Sequence, residues 1–148
     1  MTATAGDPSR WDAEALRAGA GVSLVFAVPL TVLAAVVDSS SAGLNAVFFF
    51  GALFGFMLGA GCAAWIQRTG TPLSHGVVTA GGTYLIAQAA FIAFALVTGR
   101  EVNWFGAMFT LSLVLLAGVI GGVLGQRLQA KGFEPSARPP TRENRRTT

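Results

Sequence analysis

Residues 18–37, 39–67, 69–99 and 102–126 contain no Asp, Glu, Lys or Arg, and every charge in this chain falls before, between or after those four runs. Each run is long enough to cross a bilayer, since about 20 helical residues at about 1.5 Å each span a hydrocarbon core of about 30 Å. Backbone groups in lipid must satisfy one another, which restricts spanning structure to helices or a closed barrel. The runs are apolar throughout and lack period-two alternation, so the barrel is excluded. The pattern predicts an all-α polytopic membrane protein, four transmembrane helices in a bundle, near residues 19–37, 44–66, 76–97 and 104–125. A secretory signal is the rival reading of the first run; Asp7, Asp12 and Glu14 ahead of it, and the lack of a small-x-small cleavage site before Asp38, argue for an uncleaved anchor.

Within the second run Gly51, Gly55, Gly59 and Ala63 recur at intervals of four. In the fourth, Ala117, Gly121 and Gly125 do the same, beside Gly118 and Gly122. Lipid tails are as apolar as leucine, so spanning helices associate where small residues let backbones approach, and such stripes mark contact faces. The second and fourth spans are therefore expected to meet closely through these nine positions, either inside one bundle or across a homodimer. Gln67-Arg68 and Gln126-Arg127 close the two spans at an offset of 59, which also aligns Gly59 with Gly118 and Phe50 with Phe109. That offset raises the reading of two duplicated helical hairpins. Pro29 in the middle of the first span removes one backbone hydrogen bond and predicts a kink.

Ionisable groups inside a membrane point to transport or catalysis, and none stands mid-span here. A proton-coupled exporter would carry a buried carboxylate, and an intramembrane protease a Ser/His or His/Glu set. With a single histidine and no mid-span acid, the sequence offers no catalytic, cofactor-binding or metal-ligating set and argues against an enzyme. The third span is the most polar: His75, Thr79, Gly82 and Thr83 share one face, with Tyr84 and Gln88 on another side. Gln88, nearest the membrane centre, is expected to hydrogen-bond to a neighbouring helix. The alternative is a small channel or transporter subunit, with Thr79, Thr83, Gln88, Thr110 and Ser112 lining a polar path near the third and fourth helices. His75, in the turn before the third span, reads as an interfacial hydrogen-bonding residue, with a pH sensor as its rival. The single Cys62 can form no disulfide within the chain and reads as a small packing residue.

Composition agrees with the pattern: 53% of the residues are hydrophobic and 11% charged, too few charges to coat a soluble surface. Residues 1–17 form a cytoplasmic segment, either a short interfacial helix capped at Asp7 with Pro8 in its first turn or an unstructured leader. Residues 18–127 form the transmembrane domain, and 128–148, rich in Arg, Pro, Ser and Thr, a disordered basic tail. With an even number of spans both ends share one side, which holds Arg10, Arg17, Arg68, Arg127, Lys131, Arg138, Arg142, Arg145 and Arg146 against Arg100 alone on the other. Basic residues favour the cytoplasm, so both termini are expected there. Trp11, Trp65 and Trp104 stand near span ends, where indoles prefer the interface. The tail charge reads as a topology signal, with docking to anionic lipid as the rival. No aromatic interleaving accompanies it, so no nucleic-acid partner is expected.

The run from the glycine stripe through Trp65-Ile66-Gln67-Arg68, the turn Pro72-Leu73-Ser74-His75-Gly76, and the closing GVIGGVLGQRLQ helix with its Pro/Arg tail resembles small four-span membrane proteins of actinobacteria. Nine arginines against one lysine, with abundant Ala and Gly, fit a GC-rich genome. The resemblance implies a multi-pass protein of a bacterial inner membrane and carries no chemistry. Much packing surface with little reactive chemistry leads to the functional expectation of a non-enzymatic membrane protein acting through helix packing. Its partners are the lipid bilayer and either a second copy or another membrane protein.

Overall fold

The computed structural model describes residues 10–37 and 41–133, without the side chains of Ala35 and Val36. Asp7 and Pro8, and the tail from 134 on, lie outside the described residues. Four helices account for nearly all the rest: α1 (Ala13–Val36), α2 (Ala42–Ile66), α3 (Pro72–Val97) and α4 (Trp104–Ala130). With 24 to 27 residues each, they are long and apolar enough to cross a membrane. The protein is thus an all-helical, four-span integral membrane protein, with no strand among the described residues.

Each helix boundary has a local cause. Asp12 caps α1, its Oδ1 accepting the Ala15 N–H at 3.1 Å, so residues 13–17 form the first turns of the spanning helix itself. Pro72 opens α3, where a missing N–H costs nothing, and Asn103 caps α4 through the Gly106 N–H at 2.9 Å. At the C-terminal ends of α3 and α4, Gly99 and Gly132 take left-handed φ values of 67° and 75°. In both, the glycine N–H and the one after it turn back to the helix: Gly99 to Leu96 and Arg100 to Ala95, Gly132 to Gln129 and Phe133 to Leu128. This closure needs a residue without a Cβ penalty, and it carries α4 to Ala130, beyond the expected end at 125. α1 runs through Pro29 without interruption.

Call the base the end where α1 and α3 begin and α2 and α4 finish. α2 is the central helix: it packs on α1, α3 and α4, and α3 also touches α1 and α4, whereas α1 and α4 make no contact among the described residues. Three glycine crossings hold the base. Gly19 of α1 lies on Gly59 of α2, so close that a methyl on Gly19 would stand 2.7 Å from Ala63 Cβ and 2.9 Å from Thr79 Cγ2. Gly121 and Gly125 of α4 press on Ala60, Gly61 and Ala64 of α2. Gly118 and Gly122 of α4 meet Gly76, Val77, Ala80 and Leu73 of α3.

The expected contact between the second and fourth spans therefore forms within one chain, but not stripe to stripe. Gly51, Gly55 and Gly59 face Leu30, Phe26, Ser23 and Gly19 of α1, while α4 lies on the opposite side of α2 along Met57, Ala60, Gly61 and Ala64. The reason is that α2 carries small residues on two faces. A short connection brings α1 back antiparallel onto the first, which leaves the second for α4. Gly118 and Gly122 then serve a separate contact with α3.

These approaches yield a specific expectation. Gly59→Ala would drive a Cβ into the backbone carbonyl of Gly19 and into Ser23; it should cost about 1–3 kcal/mol in reversible unfolding by SDS titration. Gly82→Ala has nothing within 4 Å and should stay within about 0.5 kcal/mol of the parent protein.

Candidate functional site

At the base, the loop after α2 and the start of α3 hold a polar cluster. His75 is fully buried, with Trp11 beside it at 5.3 Å between ring centroids. The Asp12 backbone N–H donates to His75 Nε2 at 2.9 Å, so that nitrogen bears the lone pair. The proton then sits on Nδ1, which donates to the Thr71 carbonyl at 2.9 Å. One neutral tautomer satisfies both contacts and ties α1 to α3. Asp12 also joins the base to the loop, its Oδ2 accepting the Arg68 N–H at 3.2 Å.

Gln67, 2% exposed, completes the clamp. Its Oε1 accepts from the backbone N–H groups of Thr69 and Thr71, at 2.9 and 3.3 Å, and so shapes the loop. Gln129 of α4 donates through Nε2 to the carbonyls of Trp65 and Gln67, at 2.8 and 2.9 Å, and its Oε1 accepts from Gln67 Nε2. Trp65 in turn donates its indole N–H to the Phe133 carbonyl at 2.7 Å. Gln126, the counterpart of Gln67 under the offset of 59, is exposed, and Gln129 makes the cross-helix bonds instead.

Towards the far end the bundle opens. α1 and α3 approach at Asp12 and His75, and again at Gly19 and Thr79, but further along they flank a cavity of about 530 Å³ backed by α2 and α4. Phe56 and Tyr84, edge to face at 6.2 Å, lie in its wall and belong to the core cluster with Ala60, Ala80 and Val114. Val28, Val32 and Phe91 line it while remaining 51%, 54% and 53% exposed, so the cavity opens through the side of the bundle into the region lipid occupies. Its wall is apolar, with Asn45, Thr31, Tyr84, Gln88 and Thr110 as its polar residues.

The five positions expected along a polar path separate. Gln88 and Thr110 line the cavity. Thr83 is buried in α3, and Thr79 is sealed beneath Gly19 with its hydroxyl unpartnered among the described residues. Ser112 faces outward and donates to the Met108 carbonyl at 3.1 Å. Gln88 forms no interhelical bond either: its amide has no partner among the described residues, since α3 there faces the cavity instead of a helix. Cys62 is half-buried on α2.

Ser23, a hydroxyl in the apolar first run, belongs to the packing of the base. It is fully buried against Gly59, and its hydroxyl, like that of Thr79, has no partner among the described residues. Its position four residues after Gly19 was the available signal, since the two form the α1 half of the crossing.

The chain matches no protein-family model, and no curated protein or solved structure matches it.

Gln129→Ala strands the Trp65 and Gln67 carbonyls and the Gln67 amide and is expected to cost about 1–2 kcal/mol, whereas Gln126→Ala should cost less than about 0.5 kcal/mol, both read from SDS-unfolding midpoints. In 15N NMR spectra His75 should show one neutral tautomer with its proton on Nδ1.

Proposed function

We propose that this chain is a non-enzymatic protein of a bacterial inner membrane, both termini in the cytoplasm, that acts by associating with another molecule inside the bilayer through its opened half. One observation carries the reading. The base is closed by backbone contact between α1 and α2, α2 and α4, and α3 and α4, and the far half keeps a cavity of about 530 Å³ whose rim at Val28, Val32 and Phe91 is half-exposed on the lipid side. The small-residue stripes of α2 and α4 are occupied within the chain, so association falls to the cavity.

The orientation rests on the nine-to-one distribution of basic residues, and the bacterial setting on the resemblance to four-span actinobacterial proteins. The non-enzymatic reading rests on the lack of an acid, base or nucleophile set in the spans. The five polar residues of the cavity are hydroxyls and amides, which hold and orient a neutral guest and do not move protons near neutral pH.

A photoreactive amino acid at Val32, in the cavity wall, should give a discrete adduct in intact membranes, identified by mass spectrometry. The same group at Leu116, which is 56% exposed on α4 and outside the cavity, should give none. Equal yields of heterogeneous phospholipid adducts at both positions would end the association reading. For topology, in a Cys62→Ala background Thr98→Cys should react with a membrane-impermeant maleimide on intact cells and Thr69→Cys should not. The opposite pattern would reverse the orientation.

A further inference from the structure

Resting on that association reading, we propose that the cavity is a binding site for a neutral, membrane-dissolved molecule that joins a planar, carbonyl-bearing ring to an apolar tail, the chemistry of a quinone. The Gln88 amide would be its hydrogen-bonding partner. The argument begins with the polar groups of the wall. The Thr31 hydroxyl donates to the Ala27 carbonyl at 2.7 Å, and Tyr84 donates to the Ala107 carbonyl at 2.9 Å with the Thr110 hydroxyl beside it. Asn45 is engaged as well. The Gln88 amide has no partner among the described residues. An amide left unpaired in hydrocarbon costs several kcal/mol, so a group at this depth with two donors and an acceptor calls for a complementary guest.

The rest of the wall selects the guest's class. No charged residue lines it, and a phosphate or ammonium drawn to this depth would stay uncompensated, which excludes the headgroups of ordinary phospholipids. Five aromatic rings do line it: Phe48, Phe49, Phe56, Tyr84 and Phe91. Rings pack best on rings in offset or edge-on arrangements, so a planar head is favoured over a simple alkyl chain. A carbonyl on that head accepts from the Gln88 amide. The volume lies within the range of about 300–1,000 Å³ typical of small-molecule sites, and the lateral opening at Val28, Val32 and Phe91 leaves a tail room to continue into lipid.

The test is native mass spectrometry of the full-length protein released from detergent micelles, with a decyl-substituted benzoquinone as probe and decylbenzene as the carbonyl-free control. The parent protein should retain one benzoquinone per chain and hold it about three- to tenfold more tightly than decylbenzene, the worth of one hydrogen bond in hydrocarbon. Gln88→Leu should remove that preference while leaving decylbenzene binding unchanged, and Ala87→Trp, which fills the cavity from its wall, should abolish retention of both. Size-exclusion profiles matching the parent would establish that the variants fold. Equal retention of the two probes by the parent protein, or benzoquinone retention that Gln88→Leu and Ala87→Trp do not change, would overturn the proposal. A protein-sized photoadduct at Val32 with no benzoquinone bound would overturn it too while leaving the association reading in place, and no adduct with no binding would end both.

Discussion

Close backbone approach at glycine is the constraint on which this bundle depends. In water, four helices would be held by the removal of apolar side chains from solvent, but a bilayer offers no such reward, since lipid solvates leucine as well as another leucine does. What remains is dispersion between surfaces in contact, and that is largest where no Cβ holds them apart. The described residues contain three such places: Gly19 on Gly59, Gly121 and Gly125 on the Ala60–Gly61–Ala64 face, and Gly118 and Gly122 on Gly76. All three lie towards the base. The bulky residues, among them Phe49, Phe50, Phe91, Phe94 and Phe105, are more than a third exposed and meet lipid or the cavity instead.

The polar cluster at the base follows from that packing and reinforces it. Once four helix ends are drawn together, the loop between α2 and α3 must pass over them, and its backbone groups need partners. Gln67 supplies them to the loop, Gln129 supplies them to the end of α2, and His75 connects the cap of α1 to the start of α3. These bonds lie at the membrane surface or just inside it, where an unmade bond is costly and a made one fixes geometry. The base is therefore rigid by two independent means, side-chain hydrogen bonds and backbone contact.

Rigidity at one end leaves the other end free to differ. α1 and α4 make no contact among the described residues, and α1 and α3 part beyond the Gly19–Thr79 contact, so the core around Phe56 and Tyr84 fills the space between them before the cavity begins. A membrane protein tolerates such an opening more easily than a soluble one, because its apolar lining faces lipid and not water. Gln88 makes the opening more than a packing gap: an unpaired amide set among aromatic rings gives the site a direction and a preference.

The four charge-free runs were enough to establish an all-helical, four-span protein, because the length and apolarity of a spanning segment are properties of local sequence alone. The glycine positions were equally plain, since small residues at a spacing of four define a face on any helix. Which faces meet was not plain. α2 is small on two sides, and only the assembled bundle assigns Gly51, Gly55 and Gly59 to α1 and the Gly61 side to α4. The same holds for the polar residues. Thr79, Thr83, Gln88, Thr110 and Ser112 look alike in the sequence, yet their surroundings range from a sealed crossing to a cavity wall to the outer surface. Identity and spacing are encoded residue by residue, whereas the environment of a side chain is a relation between helices, and that relation exists only once the backbones have chosen their neighbours.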